Sequence, residues 1–504
     1  MAAGFIAVIE VASDRINGVA GVKNTNGSID VKAAVSADAS SFVDRGVIYN
    51  LNQAAECFTS VVRNLELSLN AHVEKVYTGI GGQSLHTVRN AITRTLTSRT
   101  VISKEIIESI VEQNTASFHS EEWELLEVIP QEYKTGGREE IDPVGMIDSR
   151  IEGNYLNVIA RKELKKNLSD SFHKANIPCA DIFISPLLLA KTILTDNEKW
   201  SGSILVDFQY DTTTVAVYQR NILRHLAVLP LGEKNILLDI VNIFNVEESE
   251  AKDLLQQHGD AYCEEVDLNK KSLLALSDGR AVEKREFSET VEARCQEIIA
   301  NIWNQLNVSG FEESQLRCGA VFTGRACGIR NLDKAFQNYK KDSQIKVRIQ
   351  KTLPITVTDT SHKLDGNCNI ALSILLAGKE ICTRENSDTL FPSQDTNKQV
   401  VEPKQPSAEE IRRLIEEEQK EKAFQEACDE ARKLINEDLF KDAQKKINEL
   451  KGKYPDRTAN IESIEIALRN RKKSKPGLFQ KWGAELTRLK EKGKDFLGKI
   501  GDEE

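Results

Sequence analysis

The sequence predicts an α/β protein made of a duplicated domain with a cleft between its halves, followed by a helical C-terminal extension. Three observations carry this. Phe5–Val11, the turn Ala12-Ser13-Asp14-Arg15 and Ile16–Val22 read as strand, turn, strand. Roughly 200 residues later the stretch SILVDFQYDTTTVAVYQRNILRHLAVLPL, from Ser203 to Leu231, repeats that grammar and adds a third strand. Around both hairpins, helical periods alternate with short apolar runs, the pattern of a layered α/β fold.

The first hairpin leads into Leu51–Leu69, whose apolar residues at 51, 54, 55, 58, 61, 62 and 65 keep a helical period. Val73–Tyr77 is expected as a strand running into a turn at Gly79-Ile80-Gly81-Gly82. From about 84 to 160 the character changes. Strand-like Thr87–Thr97 precedes a helix over Lys104–Asn114, for which Ser103 is the expected N-cap. WELLEVIPQEY and DPVGM follow, then a strand at Tyr155–Ala160 and a helix over Lys162–Ala175. Beyond the second hairpin, Asn235–Phe244, Glu247–Gln257 and Ser288–Leu306 read as helices. Ala320–Thr323 is a strand, Gly324–Gly328 a turn, Asn331–Gln337 a helix and Asn369–Ala377 a last apolar helix. Residues 384–406 turn polar and carry Pro392, Pro403 and Pro406, the mark of a linker. Ser407-Ala408-Glu409-Glu410 is a capping box, and helical sequence continues to about 472 with a break near Gly452 and Pro455. Part of it faintly resembles a tetratricopeptide-like helix pair, but one copy reads more simply as a solvated helical spacer.

At 504 residues the chain exceeds one simple core, so three or more domains are expected. A net charge of −10 argues against general nucleic-acid binding. The nine cysteines are scattered with no CxxC pair, which suits neither a zinc site nor a disulfide framework and suggests a reducing cytosol. The N-terminal MAAGFIAVIEV lacks a basic region and reads as a first strand rather than a signal peptide. No run approaches the ~20 apolar residues of a membrane span. No Ser/His/Asp triad or metal cluster stands out, the seven histidines are dispersed, and Gly79–Gly82 is no dinucleotide fingerprint.

The C-terminal tail is the exception to the acidic balance. On a wheel of about 100° per residue, Leu478, Phe479, Trp482, Leu486, Leu489, Phe496, Leu497 and Ile500 share an arc of roughly 100°. Lys481, Arg488, Lys490, Lys492, Lys494 and Lys499 dominate the flanks, and Pro476-Gly477 precedes the helix as a hinge. A basic amphipathic helix with Trp and Phe lies in the interface of an anionic bilayer. Docking on the protein's own core is the competing reading, which the charged linker disfavours.

These residues resemble a family, the actin-like bacterial cell-division protein FtsA, within the actin/Hsp70/sugar-kinase superfamily. The most specific match is Val128-Ile129-Pro130-Gln131-Glu132-Tyr133 with Asp142-Pro143-Val144-Gly145-Met146, similar to elements of that family's extra subdomain. Gly79-Ile80-Gly81-Gly82-Gln83, Asp207 with Thr212-Thr213, and Glu248-Ser249-Glu250-Ala251 support it. The resemblance implies two actin-like domains around a nucleotide cleft. By it, 1–83 with 161–197 form the first domain, 84–160 the extra subdomain, and 198–240 with 314–383 the second domain's core. Residues 241–313 form that domain's helical part, followed by the linker 384–406, an insert at 407–472, the hinge 473–477 and the membrane helix 478–501. It also implies binding of the tubulin-like FtsZ, self-assembly, other division partners, and a peripheral place on the cytoplasmic side of the inner membrane. A small-molecule kinase or a pilus-assembly actin-like ATPase is the alternative. The kinase would need intact glycine loops and no membrane helix, and the C-terminal helix is not expected of the pilus protein.

The family implies ATP, with Mg²⁺ held through Asp207, contacted by Glu10, Ser13, Asp207, Thr212, Thr213, Gly232 and Gly324. The loops depart from that pattern. Ala12 stands where a glycine is expected, Gln209-Tyr210-Asp211 replaces three glycines, Glu233 follows Gly232, and Arg325-Ala326 follows Gly324. Glycine lets backbone approach phosphate with φ > 0, whereas a side chain in that region costs about 1–2 kcal/mol. Asp211 adds negative charge where an anion would sit. Hydrolysis is therefore not expected, and the sequence leaves ATP binding open.

Overall fold

The computed structural model describes residues 4–263, 272–340, 343–358, 368–385, and much of 424–454 and 464–469. The chain divides into two compact units, Met1–Leu390 and Phe391–Glu504.

The first unit holds two sheets that repeat one plan. In the first, a three-stranded antiparallel meander, Ile29–Asp38, Arg15–Lys23 and Ile6–Val11, is extended by Val76–Ile80 and Cys179–Ile184 in parallel. In the second, the meander is Ile222–Leu229, Thr213–Gln219 and Ser203–Phe208, extended in parallel by Ala320–Gly324 and Val347–Ile349. The same order and the same switch from antiparallel to parallel occur twice, so the duplication read from the hairpins extends through five strands of each half. Parallel neighbours need a crossover, which is why helices lie between them in the chain.

Each half has its own apolar core. The first half packs Leu51–Leu69 and Lys162–Lys174 against its sheet, with Phe58 and Phe172 stacked at 4.5 Å. Asn50 caps the first of these helices by accepting from the N–H groups of Asn52 and Gln53, and Asn70 ends it in the left-handed region at φ 48°. A Cβ on Gly18 would strike the Val61 side chain of that helix, so glycine sets how closely helix and strand approach. In the second half Glu233–Phe244, Glu248–His258 and the long helix Lys284–Ser309 surround a core that includes Trp303 stacked on Phe336 at 5.0 Å.

Within the first half in sequence, between Val76–Ile80 and Lys162–Lys174, lies an inserted subdomain. Its strands Arg138–Glu140, Trp123–Thr135, Ile147–Arg161 and His86–Val101 continue the second sheet beyond Ile222–Leu229, joined through the single register pair Ala227–His86. The helix Lys104–Ser117 covers a small core of Ile102, Ile110, Tyr133, Ile151 and Tyr155. One strong contact ties the subdomain on. Arg224, with its side chain 7% exposed, donates to both carboxylate oxygens of Glu132 at 2.6 and 2.8 Å and to Gln131 at 3.0 Å. Gln131 in turn donates to the Leu223 carbonyl at 3.1 Å. The Pro-Gln-Glu stretch thus works as a clamp on the neighbouring sheet.

Several expectations need correction. Ser103 occupies the N-cap position, but its side chain makes no cap to the helix backbone. Val73–Tyr77 is two strands, Ala71–Val73 and Val76–Ile80, and Gly79-Ile80 belongs to the second of them rather than to a turn. The strands Ile29–Asp38 and Cys179–Ile184 and the helix Ser185–Ile193 add to the elements expected from the sequence.

The second unit has a helix at Phe440–Lys453 and a core that includes Phe424, Ala431, Ile435, Ala443, Ile447 and Ile464. The linker expected over 384–406 starts later than that, because 384 and 385 end the strand Thr383–Glu385 paired with Ala71–Val73; the rest of it, the capping box at 407–410, the hinge 473–477 and the amphipathic segment 478–501 lie outside the described residues. Among the described residues no helix is long and apolar enough to cross a membrane.

Candidate functional site

The two hairpins bring their turns face to face. Glu10 and Asp207 sit near the ends of corresponding strands, opposite Asn17 and Thr214 in register. With Ser13 and Thr212 they line one cavity of about 50 Å³, together with Gln209, Tyr210, Asp211 and Thr214. Glu10 accepts from the Asn17 amide at 3.1 Å and Asp207 from the Gln209 amide at 2.7 Å. Burial pushes both carboxyls up to about 7, only partly offset by those hydrogen bonds.

Across the cleft the loops are bonded to one another. Asp211 of the second half accepts from the Arg45 N–H of the first at 2.7 Å, and within the first half Ser13 Oγ accepts from the Gly46 N–H at 2.8 Å. Burial raises the Asp211 carboxyl, against hydrogen bonds from Ser13 and Arg45 that lower it. Arg325, at the end of Ala320–Gly324, forms ion pairs with Asp14 of the first turn and with Glu233 of the second half. Its guanidinium lies over the Tyr210 ring, 5.3 Å from the centroid, and the Tyr210 hydroxyl donates to Glu248 at 3.1 Å. Arg15 pairs with the same Asp14 at 2.8 Å.

Of the residues expected to contact nucleotide, Glu10, Ser13, Asp207 and Thr212 therefore share one small cavity. Gly324 lines a second, larger cavity of about 680 Å³, walled by residues that include Arg15, Lys252, Arg325, Arg330 and Lys351. Gly324 has φ +85°, and a Cβ there would strike Asp207. Two residues do something else. The Thr213 hydroxyl donates to the Leu231 carbonyl at 2.8 Å and holds the meander together. Gly232 lines neither of these two cavities; a Cβ on it would meet the backbone of 209–211 at 2.6–2.8 Å, so its role is close packing. The residues expected to face a membrane, between 478 and 500, lie outside the described positions.

The residues that line the smaller cavity do not fit the phosphates of Mg·ATP in this arrangement. A 50 Å³ space is room for one or two waters, each taking ~30 Å³, not for a chain of phosphates. Three carboxylates line it and no Lys or Arg does, so an anion would meet negative or proton-bearing acids. Sequence reading singled out Arg325 and Asp211 but missed Asp14 as the partner of Arg325, and Arg45-Gly46 as the donors. The only available signal was an Arg-Gly pair after an acidic residue, which is too common to single out.

Comparison with known proteins gives a consistent family. The model for "Cell division protein FtsA" matches residues 204–367, and the model for the SHS2 domain inserted in FtsA matches 82–159. The Cell division protein FtsA of Porphyromonas gingivalis is 27% identical over 333 residues, covering 64% of this chain and 68% of that protein. Its namesake from Escherichia coli K12 is 24% identical over 383 residues, covering 74% and 90%. Among solved structures, a chain of a PilM-PilN type IV pilus biogenesis complex aligns with TM-score 0.52 at 12% identity, covering 74% of this chain and 98% of that one. That likeness speaks for the shared fold alone.

Proposed function

The chain belongs to the FtsA family of cell-division proteins, and from that premise we propose that it is an adaptor tying FtsZ filaments to the cytoplasmic face of the membrane at the division site. The observation that carries this reading is the inserted subdomain. It is matched by the model of the domain inserted in FtsA and clamped to the second half through Gln131, Glu132 and Arg224. A small-molecule kinase would have no use for it, and would want the glycine loops that this chain replaces.

The proposed anchor is the segment 478–501. Each large apolar side chain contributes up to roughly 1.5–3 kcal/mol if fully buried. Each Lys or Arg, such as Lys481, Arg488 and Lys492, adds about 1 kcal/mol near an anionic surface. Partial immersion and the cost of ordering the helix offset much of this, so attachment is reversible. The proposed filament-facing part is 241–313, with the helix Glu248–His258 at its centre. Self-assembly and contacts with further division proteins follow from the family. ATP with Mg²⁺ is not assigned a step in this activity.

The test is recruitment of purified FtsZ filaments to anionic liposomes by the full chain and by a chain lacking 476–504. The expected outcome is that the truncated chain neither co-sediments with liposomes nor brings filaments to them. Undiminished liposome binding by the truncated chain overturns the anchor. Binding of the full chain to liposomes without filament recruitment overturns the adaptor role.

A further inference from the structure

We propose that Arg325 is an internal latch that pins the two halves together from within the cleft, where other members of this fold hold a nucleotide, so that the halves are joined without a ligand. The latch starts on the second half, at the end of the strand Ala320–Gly324, and crosses to Asp14 in the turn of the first hairpin. Glu233 holds the guanidinium from the other side, and the Tyr210 ring lies beneath it. All three charged side chains are largely buried, at 16–18% exposure, so solvent and salt screen the pairs far less than surface pairs. The three replaced glycine positions of the second loop all line the closed cleft. Tyr210 is the platform, Gln209 occupies Asp207, and Asp211 takes the Arg45 N–H across the cleft. Glu233 and Arg325 themselves follow the two retained glycines, Gly232 and Gly324. The substitutions that remove phosphate-binding backbone are thus the ones that supply the bridges.

Two features separate a latch from a cleft that is merely poor at binding. The bridges run between the halves rather than within one, through Arg325–Asp14, Arg45–Asp211 and the weaker Lys234–Asp44 pair at 3.8 Å. The space beside the latch is also still open, at about 680 Å³, so the latch closes the gap between the two turns and not the whole cleft.

The experiment is hydrogen exchange read by mass spectrometry on the full chain, with Arg325→Ala, Asp14→Asn and the double variant, alongside calorimetric titration of the wild type with Mg·ATP. Exchange in peptides covering 8–16 and 207–214 is expected to rise several-fold in each single variant, and the double variant to exchange no faster than Arg325→Ala. Wild-type protein is expected to give no binding heat up to millimolar Mg·ATP. Micromolar binding by the wild type overturns the proposal, and so does wild-type exchange in those peptides in Arg325→Ala. If Arg325→Ala does not fold, Arg325→Lys serves. It keeps the charge and loses the planar fork, so exchange should lie between the wild type and Asp14→Asn; exchange equal to the wild type overturns the latch.

Discussion

Glu10 and Asp207 show what a carboxylate does when its surroundings offer no cation. Both are buried and both titrate near 7, well above the ordinary range near 4. Such an acid keeps its proton in the folded chain while the unfolded chain has released it. Between about pH 4 and 7 the folded state therefore binds more protons, and stability falls as pH rises through that window. Asp207→Asn keeps an oxygen for the Gln209 amide and removes the titration. Its stability relative to wild type is expected to be higher at pH 8 than at pH 5 by at least about 1 kcal/mol, measured by urea unfolding at both values. A difference that does not change with pH would show that Asp207 is ionised throughout. The residue type was legible in the sequence, since an acid closing an apolar strand stands out. Its protonation was not, because that depends on which groups the other half brings up to it.

Among the elements, the inserted subdomain is held in part by one charged residue in an otherwise largely buried strand. Arg224 lies in Ile222–Leu229, where Leu223, Leu226 and Leu229 are buried, and an unpaired guanidinium there would be expensive. Glu132 answers it with a two-oxygen contact, which holds the Glu132 carboxyl below the usual range even though burial alone would raise it. Removing one partner strands the other, so Glu132→Ala is expected to cost about 3 kcal/mol. Replacing both with apolar residues, Arg224→Met with Glu132→Leu, is expected to recover most of that in the same urea experiment. A double variant as unstable as the single one would mean the clamp is worth more than its charges. The Pro-Gln-Glu stretch was legible as a motif, and strand character around it as alternation. Missing from any local pattern was the partner, since Arg224 lies 92 positions away. The unread strand Ile29–Asp38 fails for a different reason. Ile29, Val31 and Ala33 face the core in strict alternation, but the alanines around them are better helix formers than strand formers.

For the whole molecule, the proposed division of labour separates a filament-facing body from a membrane-facing tail, with the insert 407–472 between them. If that insert sets the reach from membrane to filament, deleting about half of it should shorten the membrane-to-filament distance seen by electron cryotomography of FtsZ-coated liposomes. An unchanged distance would show that the insert does not act as a spacer. The sequence by itself determined the duplicated α/β plan and the inserted subdomain. Each of these is written in short-range pattern: strand–acid–turn–strand in one case, a contiguous motif in the other. The tertiary structure alone decided the state of the cleft. Whether an acid is charged, whether a threonine hydroxyl is free, and whether Arg325 faces solvent or Asp14 depend on residues as far as 311 positions apart in the chain. Those contacts are set by how two separately packed cores meet, and no local period encodes that.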